Sequence, residues 1–470
     1  MLFPTVEFGI FFFIVFTAGW LLKSHNAWRK LFLVLTNYFF YWSWDWRFTI
    51  LLLFCSSGNY AFGRLLGSTE NDRKRKIIVT LAVVFNLAIL GFFKYYRFFT
   101  TSLNSLILSL GLNSNMPLLE ILLPVGISFF TFQALTYIID VYRKEMPATK
   151  SYLDLILYIS FFPTLLAGPI MRAKAFLPQL QGNPDSNSIP AARAFMLIVA
   201  GLFKKVVIAN YIATELVNPV FENPKAYSGI EVLLAAYGYA VQIYCDFAAY
   251  SEIAIGVASL LGFKIPDNFN YPYRAQSLQD FWRRWHISLS SWLKDYLYIS
   301  FGGSRNGKWQ TYRNLFITML LGGLWHGAAW NFIFWGALHG SGLAVERFIR
   351  AKYAESKKSL WAQGVSVIIV FNFVCIGWVF FRAGTFSLAI EVFQAMANLS
   401  APITILTPFV FLLLVIGIGM HFIPAEPGRK ITFELSRLPL IAQGAILGAL
   451  LVAINAFGPE GVAPFIYFQF

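Results

Sequence analysis

Histidine is the side chain whose charge changes nearest neutral pH, and this chain has only five, at positions 25, 286, 326, 339 and 421. Two of them stand in islands that interrupt apolar sequence. The first island, residues 266 to 305, opens with Pro266-Asp267-Asn268-Phe269, then reads Asp280-Phe281-Trp282-Arg283-Arg284-Trp285-His286 and continues through Ser288, Ser290, Lys294 and Asp295. On one continuous helix, Trp282, His286, Leu289, Ser290 and Leu293 share a face, with Arg284, Ser288, Ser291 and Asp295 opposite, so His286 is expected to point inward. The second island reads Leu320-Leu321-Gly322-Gly323-Leu324-Trp325-His326-Gly327 and runs on to Trp330, Asn331 and His339. Gly322 and Gly323 fall one turn before His326 on its own face, which leaves a slot beside the imidazole. A buried neutral imidazole can take the proton of a hydroxyl as that hydroxyl attacks a carbonyl, so acyl transfer suits both islands. Two plainer readings stay open: an interfacial helix whose histidine is simply hydrogen-bonded in a core, and glycines that admit a neighbouring helix.

Other chemistries find less support. No HxxxH or HExxH pair occurs and no cysteine neighbours a histidine, so no metal site is expected. Cys55, Cys245 and Cys375 lie in apolar runs and read as inert buried thiols. There is no GxSxG elbow. The run Gly302 to Lys308 matches GxxxxGK, but Trp309 stands where magnesium binding needs Ser or Thr and no strand is expected before it. What it retains is a glycine loop beside Arg305 and Lys308 whose backbone N–H groups can face an anion. Carboxylates also fall in apolar sequence, at Asp140 near Arg143 and at Asp246 within Tyr244-Cys245-Asp246-Phe247, followed by Tyr250, Ser251 and Glu252. Buried carboxylates need partners. Asp246 is expected to be a structural hub that orients the histidine helices, with a proton relay as the other reading.

The elements that must position these residues are membrane helices. Of 470 residues, 57% are hydrophobic and 13% charged, against about 25% charged in an ordinary soluble domain. A bilayer core about 30 Å thick takes about 20 apolar residues per helix, and such stretches recur from end to end. Spans are expected near residues 6 to 22, 28 to 43, 47 to 65, 77 to 99 and 118 to 141. Lys23, Arg29 and Lys30 follow the first, Arg73, Lys74, Arg75 and Lys76 the third, and Arg143, Lys144 and Lys150 the fifth. The positive-inside rule therefore puts the odd-numbered connections in the cytoplasm and the N-terminus outside. The net charge of +14 reads as orientation and not as nucleic-acid binding. No basic residue precedes Phe11-Phe12-Phe13, so the N-terminal stretch reads as a retained span and not as a cleaved signal.

Beyond residue 151 the pattern blurs. Tyr152 to Ile170 is apolar yet contains Pro163 and Gly168-Pro169, which predicts a re-entrant or broken helix. Residues 182 to 190 form a loop. Further helices are expected near 192 to 216, 228 to 262, 312 to 326, 328 to 347, 360 to 381, 404 to 422 and 438 to 457, with no internal repeat. The fold class is all-α polytopic membrane protein, one membrane domain over 1 to 470. It divides into regular N-out spans over 1 to 150, a core of broken helices over 151 to 345 and C-terminal spans over 346 to 470.

Four runs together resemble the membrane-bound O-acyltransferase (MBOAT) family, in its bacterial branch that acetylates alginate. They are Ala167-Gly168-Pro169-Ile170-Met171-Arg172 with Phe176-Leu177-Pro178-Gln179, Gln242 to Phe247, Phe281 to Ser290, and Gly323-Leu324-Trp325-His326-Gly327. The resemblance spans about residues 1 to 460; one departure is Ala248-Ala249 where Ser-Gly is the family pattern. It implies roughly a dozen helices, some re-entrant, ringed around a central pore. His326 would be the catalytic base and His286 the second polar residue of the site. Trp285, Trp325, Arg283, Arg284, Ser290, Lys294 and Asn331 would bind substrate, and Asp246, Gly322 and Gly323 would support the site. No cofactor would be bound: acetyl-CoA or an acyl carrier protein thioester would be the donor substrate. The implied setting is the bacterial inner membrane, with a periplasmic acetyltransferase partner in an exported-polysaccharide pathway. D-alanyl or other acyl transfer from a carrier protein is the alternative within the family, and a transporter or flippase the alternative outside it.

Overall fold

The structure is a computed structural model that describes residues 1–113, 116–305, 307–352, 359–424, 426–457 and 465. Asn306 of the GxxxxGK run and the last residues of the C-terminal stretch lie outside them. Chain contacts divide the molecule into two compact units, Met1–Ile189 with Ala258–Ile265, and Pro190–Val257 with Pro266–Phe470. Among the described residues there is no β-strand.

The first unit begins with α1 (Val6–Leu21), α2 (Asn26–Trp42), α3 (Trp46–Gly67) and α4 (Asp72–Ser109). Three of the four N-termini are capped by the residue types that favour this position: Thr5, Asp45 and Asn71 each accept a backbone N–H of the first turn. Two expected boundaries move. α4 runs ten residues past 99 because nothing breaks it before Gly111, and a π turn at Gly91–Tyr95 absorbs the change in pitch. The expected span at 118 to 141 becomes helical only at α5 (Ile127–Tyr142). Pro117 and Pro124 lack N–H donors, and Gly126 sits at φ 77°, where a Cβ would meet the Leu165 carbonyl oxygen at 2.3 Å.

The broken helix is present. α6 (Tyr152–Ser160) stops at Phe161, and a single turn, Phe162–Leu165, follows before Gly168 at φ 123°. Breaking a helix in apolar surroundings frees backbone groups that need partners. Asn37 of α2 supplies one: its Oδ1 accepts the Phe162 N–H at 3.1 Å. Arg75 acts similarly, donating to the carbonyls of Leu66, Thr69, Val141 and Tyr142.

The second unit opens with α7 (Ala191–Glu222), which carries π turns at Phe203–Ala209 and Ala213–Val217, and α8 (Gly229–Leu260). Two short helices follow, α9 (Leu278–Arg284) and α10 (Ile287–Trp292), then α11 (Lys308–His326), α12 (Trp330–Lys352) and α13 (Leu360–Arg382). The remainder is α14 (Phe386–Ala395), α15 (Pro408–Gly419), α16 (Glu426–Arg437) and α17 (Leu440–Phe457). α14 and α16 were not expected: α14 is ten residues, too short to span, and α16 is amphipathic with too many charges to read as an apolar stretch. Among the described residues α4, α7, α8 and α13 are long and apolar enough to cross a membrane, and shorter apolar helices accompany them. The chain is an all-helical, multi-pass membrane protein.

Candidate active site

His286 does not lie within one helix, as the helical wheel assumed. The chain leaves α9 at Trp285, and His286 adopts the left-handed conformation, φ 42° and ψ 56°, before α10 begins at Ile287. This conformation is uncommon for a residue with a side chain and is held only where the surroundings fix it. The surroundings here are a short ladder: Asn270 N–H donates to the Arg284 carbonyl at 2.9 Å and Ile287 N–H to the Asn268 carbonyl at 2.8 Å. The ring is fully buried among Phe247, Phe269 and Trp325, so the inward direction holds. Ser288, placed on the outer face by the wheel, is buried too, because the break rotates α10 relative to α9.

His326 is the last residue of α11, with Gly327 as the cap. Its ring is packed by Trp325, Trp335 and Phe381 at centroid distances of 5.0, 5.0 and 5.3 Å. Trp325 also lies 6.1 Å from the His286 ring, so one indole stands beside both imidazoles. The glycines have different fates. A Cβ on Gly323 would meet the Phe332 carbonyl oxygen at 2.2 Å and Gly336 Cα at 3.0 Å, so here the close approach of α12 fills the slot. A Cβ on Gly322 would meet only Leu293 Cδ1, at 3.2 Å.

The remaining sequence-predicted residues divide into two groups. Arg283 and Lys294 are exposed and Ser290 half-buried, its hydroxyl donating to the Trp285 carbonyl at 3.1 Å. Arg284 pairs with Asp280, Nε to Oδ1 2.8 Å, one helical turn earlier. Trp285 is buried against Tyr244, Phe269, Tyr273, Phe281 and Trp378, and Asn331 donates to the Ala383 carbonyl, which ties α12 to the end of α13.

Asp246 has an ion-pair partner: Lys205 Nζ lies 2.6 Å from its Oδ1, both side chains nearly inaccessible. Lys204 pairs with Glu252 beside it. Two charge pairs thus join the π turn of α7 to the stretch of α8 that carries Phe247 and Ser251. Sequence reasoning missed both lysines, although Lys204-Lys205 inside an apolar helix was a visible signal. It also missed Asn268, which stood in the segment that interrupts the apolar pattern, and Trp335, which shares the His326 contact. Among the described residues no group of three or more His, Cys, Asp or Glu side chains gathers at a point.

This arrangement of two buried imidazoles in an aromatic shell can be compared with known proteins. A sequence model of the MBOAT, membrane-bound O-acyltransferase family, matches residues 89–386. The chain is 42% identical over 391 residues to the "probable alginate O-acetylase AlgI" of Pseudomonas aeruginosa, covering 82% of this chain and 73% of that one. The protein of that name from Pseudomonas putida is 36% identical over 487 residues, covering 98% of both chains. The peptidoglycan O-acetyltransferase of Helicobacter pylori is 36% identical over 400 residues, 79% of this chain and 74% of that one. The family match and these relatives agree: this chain belongs to the membrane-bound O-acyltransferase family and is a membrane O-acyltransferase.

Proposed function

We propose that this enzyme takes an acetyl group from a thioester on the cytoplasmic side of the bacterial inner membrane and delivers it to a hydroxyl for O-acetylation of an exported polysaccharide such as alginate. The observation that carries the reading is the pair of buried imidazoles, His286 and His326, on either side of Trp325, in a chain whose relatives are named alginate O-acetylases. His326 removes the proton of the acceptor hydroxyl, whose oxygen attacks the thioester carbonyl. The proton then passes to the departing thiolate, so the base is regenerated. His286 orients a substrate group or steadies the oxyanion. The exposed Arg283 and Lys294 attract donor phosphates. Activated acetyl is made in the cytoplasm while the polymer is modified outside, so the helices would enclose a pore through which the acetyl crosses without its carrier. The thioester is a co-substrate, no bound cofactor is called for, and a periplasmic acetyltransferase partner would receive the product.

The test is purified protein in vesicles, given labelled acetyl-CoA in one arm and an acetylated carrier protein in another, with oligosaccharide acceptors. His326→Ala should lower turnover by about 10²- to 10⁴-fold with its thermal melting unchanged. Unchanged turnover would remove His326 from the mechanism. Turnover from the carrier arm alone would move the donor to the D-alanyl-transfer type, and label retained on the enzyme would replace direct transfer by a covalent intermediate.

A further inference from the structure

Asn268 lies in the connection between α8 and α9 and holds the His286 turn by four hydrogen bonds. Its carbonyl accepts Ile287 N–H at 2.8 Å. Its Oδ1 accepts Ser288 N–H at 3.1 Å and the Ser288 hydroxyl at 2.8 Å, and lies 3.1 Å from His286 Nδ1. On the other side its Nδ2 donates to Ser251 Oγ of α8 at 3.0 Å. The amide is fully buried.

The orientation of that amide follows from donor and acceptor chemistry. A backbone N–H only donates, so the atom facing Ser288 N–H is the oxygen, and the nitrogen faces Ser251. An amide oxygen only accepts, so His286 Nδ1 must carry a hydrogen to bond it. The neutral ring then keeps its lone pair on Nε2, which is buried and has no hydrogen-bond partner among the described residues.

We propose that Asn268 is the positioning residue that fixes His286 as the Nδ1–H tautomer, so that His286 meets the substrate through Nε2 as a hydrogen-bond acceptor. This rests on the acyl-transfer reading above and chooses between the two roles left open there. A neutral ring whose free nitrogen bears a lone pair cannot donate to an oxyanion. It can receive the O–H of a hydroxyl next to the attacking one on the acceptor, and so hold the attacking hydroxyl where His326 takes its proton. The left-handed backbone of His286 serves this end, since the same asparagine grips the residues on its C-terminal side and the ring at once. Lys205–Asp246 and Lys204–Glu252 brace the stretch of α8 that presents Ser251.

The tautomer is read by ¹⁵N NMR of the full-length protein labelled at histidine and reconstituted in vesicles, with the His286 resonances assigned by their loss in His286→Gln. The expected result is a protonated Nδ1 and a lone-pair Nε2 in the wild type. Asn268→Leu should lose that tautomer preference and lower kcat by about 10- to 100-fold, as outer partners that fix a histidine typically do, with donor KM little changed. Asn268→Asp keeps the acceptor and should recover most of the kcat. A lone pair on Nδ1 in the wild type overturns the proposal, and so does an Asn268→Leu protein with wild-type kcat. Should Asn268→Leu not fold, the wild-type spectrum and an Asn268→Asp protein no better than dead decide against it on their own. The NMR readout needs no substrate, so a protein with the stated tautomer and no acetyl transfer would refute the functional reading and leave the Asn268-fixed tautomer standing.

Discussion

Arg283, Arg284 and Lys294 stand together among the residues expected to bind substrate, and the structure separates them by their surroundings. Arg284 is tied to Asp280, whereas Arg283 and Lys294 are exposed. If the two exposed cations draw a phosphate-bearing donor to the enzyme, Arg283→Gln with Lys294→Gln should raise donor KM several-fold and weaken its dependence on salt, with kcat nearly unchanged. Initial rates at several ionic strengths check this, and a fall in kcat at constant KM would assign them elsewhere. At this scale the sequence was informative about residue types and poor at backbone geometry. His286 could be picked out because a lone imidazole in apolar sequence is conspicuous. Its left-handed backbone could not, because Trp285-His286-Ile287 contains neither glycine nor proline to signal a break. Asn268 was equally hidden: its importance comes from a ladder between segments about 18 residues apart, which no local pattern encodes.

Helix pairs carry the next level of the site. α11 and α12 approach so closely that Gly323 faces the Phe332 carbonyl and Gly336, and a Cβ on Gly340 would meet Phe316 Cα at 3.0 Å. His326 sits three residues beyond Gly323, so its position depends on that contact. Gly323→Ala should destabilise the protein by about 1–3 kcal/mol, the usual cost of overpacking, and lower activity with it. Gly322→Ala, which meets only a leucine methyl, should be tolerated. Thermal unfolding in detergent separates the two, and equal melting temperatures would show that the helices can slide apart freely. The α7–α8 contact combines close packing at Gly201 and Gly256 with two ion pairs. Removing Lys205 alone breaks a buried ion pair from one side, which costs about 3–5 kcal/mol, whereas exchanging the pair for apolar residues of similar volume often costs little. Lys205→Met should therefore be far less stable than Lys205→Met combined with Asp246→Leu. A double variant as unstable as the single one would mean the charges themselves are required. The apolar period located nearly every helix, since lipid-facing and core-facing residues are both apolar over the needed length. It failed where helices end for tertiary reasons, as at Gly126, and it could not announce α16, whose balance of apolar and charged faces fits no spanning pattern.

At the scale of the whole molecule, the direction in which the chain runs through the bilayer decides which face would meet the proposed thioester donor. The positive-inside bias is set during insertion, when Lys and Arg resist translocation, so a basic residue counts toward orientation even where the folded protein later pairs it. In the first turns of α2, just past the connection from α1, Lys30 is bridged to Asp154 at 2.8 Å and Arg29 is buried, donating to the Leu261 carbonyl at 2.6 Å. After α3, Arg75 is consumed by four backbone carbonyls while Arg73, Lys74 and Lys76 stay exposed. Orientation and stability can therefore be separated experimentally. Single cysteines at exposed Ser43 and Asn113, on a background where the three buried cysteines are replaced, should react with a membrane-impermeant maleimide on intact spheroplasts, and a cysteine at Arg73 only after lysis. Converting Arg73, Lys74 and Lys76 to glutamine should weaken that asymmetry while leaving the melting temperature in place, because none of the three is buried. Lys30→Gln should do the reverse, lowering stability by breaking its bridge to a buried carboxylate and shifting the labelling pattern little. The opposite labelling pattern in the wild type would turn the enzyme over, placing the connections after α1, α3 and α5 outside and requiring the acetyl thioester to enter from the face that carries Ser43 and Asn113.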